Sequence, residues 1–159
     1  MKTYSTIIKE IPVDESRSRL QITPVLPLPA QPGQYYRAFA EGTTQVIPVP
    51  LYPFTVESDS MVLCGKIPSW QVGTTLLLEG PYGKGFSNSM NSRRLCIHAM
   101  EKNLEERLYS LAGQALHNSA DVVWVSDELT LDLPPQIEVL KQSDLGNAIQ
   151  WSDSCALAV

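Results

Sequence analysis

Cysteine is scarce in this chain: three residues in 159, Cys64, Cys96 and Cys155, far apart. An odd, scattered set is no disulfide framework, and without a Cys-x-x-Cys pair the usual zinc and iron–sulfur spacings are missing. Cys64 and Cys96 stand in apolar stretches, where a small buried hydrophobe is the expected role. Histidine is scarcer still. His98 and His117 have no partner at ligand spacing, so no metal site is expected; one falls in an apolar run and the other near a helix end. No Gly-x-Ser-x-Gly elbow offers a nucleophile, and no catalytic residue is assigned. A basic excess is lacking too: 12 Lys and Arg against 17 Asp and Glu give a net charge of −5, which argues against a nucleic-acid partner. No apolar run approaches the roughly 20 residues that span a bilayer. Met1-Lys2-Thr3-Tyr4-Ser5 leads into no apolar core of signal-peptide length, so no membrane insertion and a cytoplasmic location are the default expectations.

Two further absences divide the chain. Of 12 prolines only Pro134 and Pro135 follow Pro81. The proline- and glycine-punctuated first part has short runs rich in β-branched and aromatic residues. These predict strands over about residues 4–11, 19–25, 33–41, 46–56, 61–66 and 74–79, with prolines at turns and strand edges. Six short strands at this spacing suggest a small barrel or sandwich rather than an alternating α/β sheet.

After Phe86 the grammar changes. Ser87-Asn88-Ser89-Met90-Asn91-Ser92 reads as a linker. Residues 94–99, 121–126, 137–140 and 156–159 read as strands. Leu104, Leu108, Leu111, Ala112, Ala115 and Leu116 give one apolar stripe of a helix over 104–116, with Asn103 as its cap and Glu106 three residues on. A second short helix is expected over 144–151. Strand, helix and strand in succession indicate a small parallel sheet. At about 70 residues this part is near the limit for an independent core, and it should pack on the barrel or on a partner. The predicted architecture is therefore α+β in two parts: a six-stranded antiparallel Greek-key β-barrel over 1–90, then a small Rossmann-like parallel α/β half over 91–159.

Two motifs carry a family resemblance. Pro32-Gly33-Gln34-Tyr35 is similar to the Pro-Gly-Gln-aromatic entry to the third strand of the ferredoxin-NAD(P) reductase superfamily. Gly80-Pro81-Tyr82-Gly83-Lys84-Gly85-Phe86 is similar to its Gly-Pro-x-Gly-x-Gly-Phe junction. Among its branches, the electron-transfer subunit of dihydroorotate dehydrogenase looks most alike. The resemblance implies a flavodomain-type barrel and a cofactor cleft lined by Gly33, Tyr52, Phe54, Thr55, Gly65, Lys66, Gly80, Gly83, Lys84 and Gly85, binding FAD or FMN.

The chain departs from the family pattern at each chemical position. Tyr52-Pro53-Phe54-Thr55 resembles the flavin-binding Arg-x-Tyr-Ser element, with Phe54 to stack and Thr55 to bond, but Tyr52 stands where the arginine pairs with pyrophosphate. A phenol makes no bidentate charge-assisted pair. Such a bond contributes about 1.5–3 kcal/mol, so its loss weakens binding roughly ten- to a hundred-fold. Arg37, Lys66 and Lys84 are the cations left between Leu20 and Ser92 to compensate. Gly65-Lys66-Ile67-Pro68 puts proline, which has no N–H, where the family's second element ends in Ser or Thr.

Beyond Leu95–Met100, the turn Glu101-Lys102-Asn103 contains no glycine, and Glu105 and Glu106 open the helix. This argues against NAD(P). The iron–sulfur segment of the dihydroorotate branch has no counterpart. The expectation is a reductase-like accessory subunit or scaffold, docked to a protein partner in an oxidoreductase assembly and not an independent NAD(P)H oxidoreductase. A true flavoprotein passing electrons to a partner and a non-redox small-anion binder are the alternatives, and self-association is left open. Asp127-Glu128 follows a strand end, where α/β folds put ligands or simply a solvated loop. Trp70, Trp124 and Trp151 suit core or interface positions, with Trp151 placed to staple the small half.

Overall fold

The computed structural model describes residues 2–12, 17–27, 29–86 and 91–159. The chain divides into two compact units, Met1–Gly85 and Phe86–Val159. Positions 87–90 of the expected linker lie outside the described residues.

The first unit is a closed antiparallel barrel of β1 (Lys2–Glu10), β2 (Arg19–Thr23), β3 (Tyr35–Ala40), β4 (Val49–Val56), β5 (Met61–Cys64) and β6 (Thr75–Tyr82), in the order β1-β2-β5-β4-β3-β6. Alternation of side chains puts one face of each strand inside. Ile8, Leu20, Ile22, Tyr36, Ala38, Leu51, Met61, Leu63, Leu76 and Leu78 form the core, closed by Ile67 and Trp70. Tyr36 is fully buried, and its hydroxyl accepts the Ala30 backbone N–H, so the β2–β3 connection is tied to the barrel wall. Burial pushes the Tyr36 phenol up to about 12.

Several strand limits are shorter than expected. Gly33 lies in the turn before β3, and residues 46–48 form a loop held by Gln45, which bonds Ala40 N–H and the Ala38 and Ile47 carbonyls. Prolines at turns and edges also need correction: Pro50 and Pro53 are inside β4, which is paired on both sides, and Pro81 is inside β6. Pro53 is tolerated beside a bulge. Pro53 faces Leu63 and Thr55 faces Val62, leaving Phe54 as the extra residue.

The second unit is a four-stranded, all-parallel sheet in the order β10-β7-β8-β9, from β7 (Arg94–Ala99), β8 (Asp121–Val125), β9 (Glu138–Leu140) and β10 (Ser154–Ala158). Both faces are covered, as a parallel sheet requires. Leu95, Ile97, Val122 and Trp124 pack with Leu108, Leu111, Ala112 and Ala115 of α1 (Glu105–His117). Cys96, Val123 and Val125 alternate onto the other face, with Ala148 and Trp151 of α2 (Leu145–Trp151). Between β8 and β9 there is no helix. Leu129, Leu131 and Leu133 dip at every second position against the α1-side core. The Arg94 guanidinium lies over the Trp151 ring at 5.8 Å.

Asn103 does not cap α1. The chain enters through a 3₁₀ turn, Lys102–Leu104, so Leu104 holds the cap position and no side chain caps the helix. The N–H groups of Leu104 and Glu105 are spent on the carbonyls of Glu101 and Lys102.

Candidate functional site

The outer face of β3, β4 and β6 brings three of the chain's tyrosines together. Tyr35 packs against Tyr52 on one side and Tyr82 on the other, both at 5.7 Å between ring centroids. Tyr52, at the family's arginine position, is thus one end of an aromatic ladder. Arg37 lies over Tyr82 at 5.8 Å and Phe39 at 5.9 Å and pairs with Glu79 at 3.8 Å. Phe54 is buried, and the Arg19 guanidinium covers its ring at 5.1 Å. Thr55 is half-buried, while Lys66 and Lys84 are exposed.

The two family-like motifs touch one another. Tyr35 faces Tyr82 across β3 and β6, and Gln34 Nε2 donates to the Gly83 carbonyl at 3.0 Å. Gln34 also accepts Gln31 N–H at 2.9 Å, which closes the Pro32-Gly33 turn. Glycine is required at Gly80 (φ 144°) and Gly85 (φ 69°), where a Cβ would stand 3.1 Å from the Tyr35 carbonyl oxygen and 3.0 Å from that of Pro32. The packing of one loop on the other thus accounts for these glycines without a ligand.

The loop after β5 is equally committed. Gly65 N–H donates to the Ser18 carbonyl at 2.8 Å and Ile67 N–H to that of Arg17 at 3.1 Å, while Pro68 has none to give. Arg17 closes the far side, donating through Nη2 to the carbonyls of Pro68 at 2.8 Å and Trp70 at 2.9 Å. A Cβ at Gly65 would meet the Pro50 carbonyl oxygen at 2.6 Å, so close strand approach alone demands this glycine. Arg17 was invisible to motif reasoning because its partners lie 51 and 53 residues away.

In the α/β unit the carboxyl ends of β7 and β8 meet the start of α1. Glu105, only 3% exposed, accepts Ser126 Oγ–H on Oε1 at 2.8 Å and Thr130 Oγ1–H on Oε2 at 3.4 Å. Asp127 is an intramolecular cap: its Oδ1 accepts Gln142 N–H at 2.9 Å, at the 3₁₀ turn leading into α2. His98 is buried with Nδ1 2.9 Å from the Val125 carbonyl, and since a carbonyl only accepts, Nδ1 carries the proton. Cys96 and Cys155 face each other across β7 and β10 as free thiols. Burial, with Cys155 adding to it, pushes the Cys96 thiol up to about 12, which keeps it protonated and unreactive near neutrality. At the amino end of the same strand pair Asp153 accepts both Arg93 and Arg94 N–H and the Arg94 guanidinium, each at 3.1 Å. The Arg94 bond above all holds its carboxyl below the ordinary value. Among the described residues no group of three or more His, Cys, Asp and Glu could hold a metal ion, and no helix is long and apolar enough to cross a membrane.

No protein-family model and no curated protein sequence matches the chain. Solved structures do. The ferredoxin reductase in carbazole 1,9a-dioxygenase aligns with a TM-score of 0.64 at 15% identity, over 88% of this chain and 49% of that one. A ferredoxin NADP+ reductase from Neisseria gonorrhoeae with bound FAD and NADP aligns with a TM-score of 0.64 at 13% identity, over 99% of this chain and 84% of its own. The siderophore interacting protein from Acinetobacter baumannii gives a TM-score of 0.60 at 19% identity, over 99% and 77%. The chain spans about half the length of the first of these, at 49%. The fold shared with these structures is a closed six-stranded antiparallel barrel followed by a small parallel sheet with two helices. Several reductases and a siderophore interacting protein share it, and the fold does not single out the dihydroorotate dehydrogenase branch.

Proposed function

We propose that this chain is a reductase-like accessory protein that docks to an oxidoreductase partner and is not itself an NAD(P)H oxidoreductase. The observation that carries this reading is the closed loop over residues 65–70. A flavin pyrophosphate needs free backbone N–H groups and a guanidinium. Here Gly65 and Ile67 donate to Ser18 and Arg17, Pro68 has no donor, and the Tyr52 ring packs tilted against Tyr35. These residues do not fit the pyrophosphate. On this reading the half-buried Tyr82–Tyr35–Tyr52 face meets a partner's surface, as aromatic anchors do at interfaces. The Pro32–Tyr35 and Gly80–Phe86 motifs favour an assembly of the dihydroorotate dehydrogenase type as one instance.

The visible absorbance of the purified protein and titration with FAD and FMN test it. A colourless protein that binds neither is expected; a yellow one with near-stoichiometric flavin sinks the proposal. Tyr52→Arg should stay colourless as well, because the loop donors remain committed. Copurification from the native host should bring down an oxidoreductase subunit. The second reading, a flavoprotein that passes electrons onward without using NAD(P)H, draws on the same aromatic ladder together with exposed Lys66 and Lys84. Bound flavin would establish it.

A further inference from the structure

Nicotinamide dinucleotides are what this fold leads one to expect at the α/β unit. In an open parallel sheet their phosphates sit outside the carboxyl ends of the strands, at the start of the helix that follows the first strand. The residues present do not fit such a group, and the reason goes beyond a missing glycine loop. The first residue of α1 is Glu105, and its carboxylate turns inward, 3% exposed, to accept the hydroxyls of Ser126 at 2.8 Å and Thr130 at 3.4 Å. Those hydroxyls belong to the segment leaving β8, the neighbour of β7. The lead-in turn spends the Leu104 and Glu105 N–H groups on its own carbonyls.

A negative charge at a helix start is stabilised there, and a second one beside it is repelled. The hydroxyl donors and the positive end of the helix are therefore serving an anion, and that anion is part of the chain. We infer that Glu105 stands in the position of a dinucleotide phosphate and keeps nucleotides out by occupying it. The same carboxylate ties the start of α1 to the β8–β9 crossover, where no helix covers the connection. This goes past the flavin question and stands whichever way the flavin titration falls.

The test is the melting temperature of the full chain in sodium pyrophosphate against sodium chloride at equal ionic strength, for wild type and Glu105→Ala. The readout is the difference between the two proteins, so any pyrophosphate held elsewhere cancels. The alanine variant should melt lower in chloride and gain about 3 °C more from pyrophosphate than wild type does. An equal response in both, or no response in either, overturns the inference. So does a rise in wild-type melting temperature with NADPH that the variant lacks. Alanine at a buried tie can leave α1 unfolded, so Glu105→Gln runs in parallel; it keeps the shape and an acceptor for Ser126 without the charge. Its gain of a pyrophosphate response supports the inference, and its silence overturns it.

Discussion

In the barrel unit the glycines, the Pro-Gly-Gln turn and the loop after β5 are all present, yet their donors and backbone space are directed at one another. Gln34 reaches Gly83, Arg17 reaches Pro68 and Trp70, and Gly65 makes room for Pro50. In the α/β unit the turn between β7 and α1 holds no glycine, and a carboxylate stands at the start of the first helix. One unit fastens its loops to one another. The other sets a carboxylate at the start of its first helix. Packing alone can therefore account for a glycine-rich motif.

The largest perturbation that separates the units is Trp124→Ala. The ring is fully buried between β8 and α1, so its removal should cost about 3–5 kcal/mol. Amide exchange should accelerate across β7 and β8 and leave β1 to β6 protected. If barrel amides exchange in step, the two units are one cooperative body and the comparison fails. Arg17→Ala comes next. It removes two charged-donor hydrogen bonds, about 1.5–3 kcal/mol, and exchange of Gly65 and Ile67 N–H should report the opening. A loop that stays protected would show that Arg17 is not what closes it. Gln34→Ala is milder. The loss of the Gly83 and Gln31 bonds should cost about 0.5–1.5 kcal/mol, seen in denaturant melts with no change in the α/β unit.

Changes of pH distinguish the units by sign and onset. Tyr36 and Cys96 both have raised values when folded, so each stabilises below its ordinary value and loses that contribution as pH rises. For Cys96 the loss starts near 9.0, and for Tyr36 near 10.0, each complete by about 12. Between those onsets the α/β unit should weaken alone, which near-ultraviolet dichroism of Trp124 against Tyr36 can follow. Asp153 acts in the opposite direction. Its folded value lies below 3.8, so its contribution is present above that pH and is lost as pH falls through the folded value. Its side chain is exposed to solvent, and loosening confined to the Arg93–Arg94 contacts is expected.

Much of the fold was legible because period-two alternation bounded by proline and glycine marks strands, as residues 61–66 do for β5, and because the leucine spacing from 104 marks α1. The limits were harder. Pro53 sits inside β4 because a bulge at Phe54 relieves the ladder, a tertiary circumstance no local rule supplies. Asn103 has the chemistry of a cap, but the 3₁₀ entry displaces it. At the site, the substitution at Tyr52 and the proline at Pro68 were plain in the sequence. Arg17 and Gln34 were not, since each works across about fifty residues of chain, 51 and 53 for Arg17 and 49 for Gln34. Glu105 could be placed in the first turn, but its inward orientation depends on Ser126 and Thr130.

The closure of the barrel has a consequence for self-association. A sheet wrapped on itself offers no open strand for a neighbour to extend, whereas the parallel sheet ends at β9 and β10, whose outer sides pair with no strand among the described residues. Unpaired outer rows are templates for strand addition. β9 is three residues long and gives little purchase, but β10 is five and presents Leu157, 49% exposed. When this protein is concentrated or partly destabilised, the first contacts between copies should therefore form along β10, and a lysine in place of Leu157 should delay them.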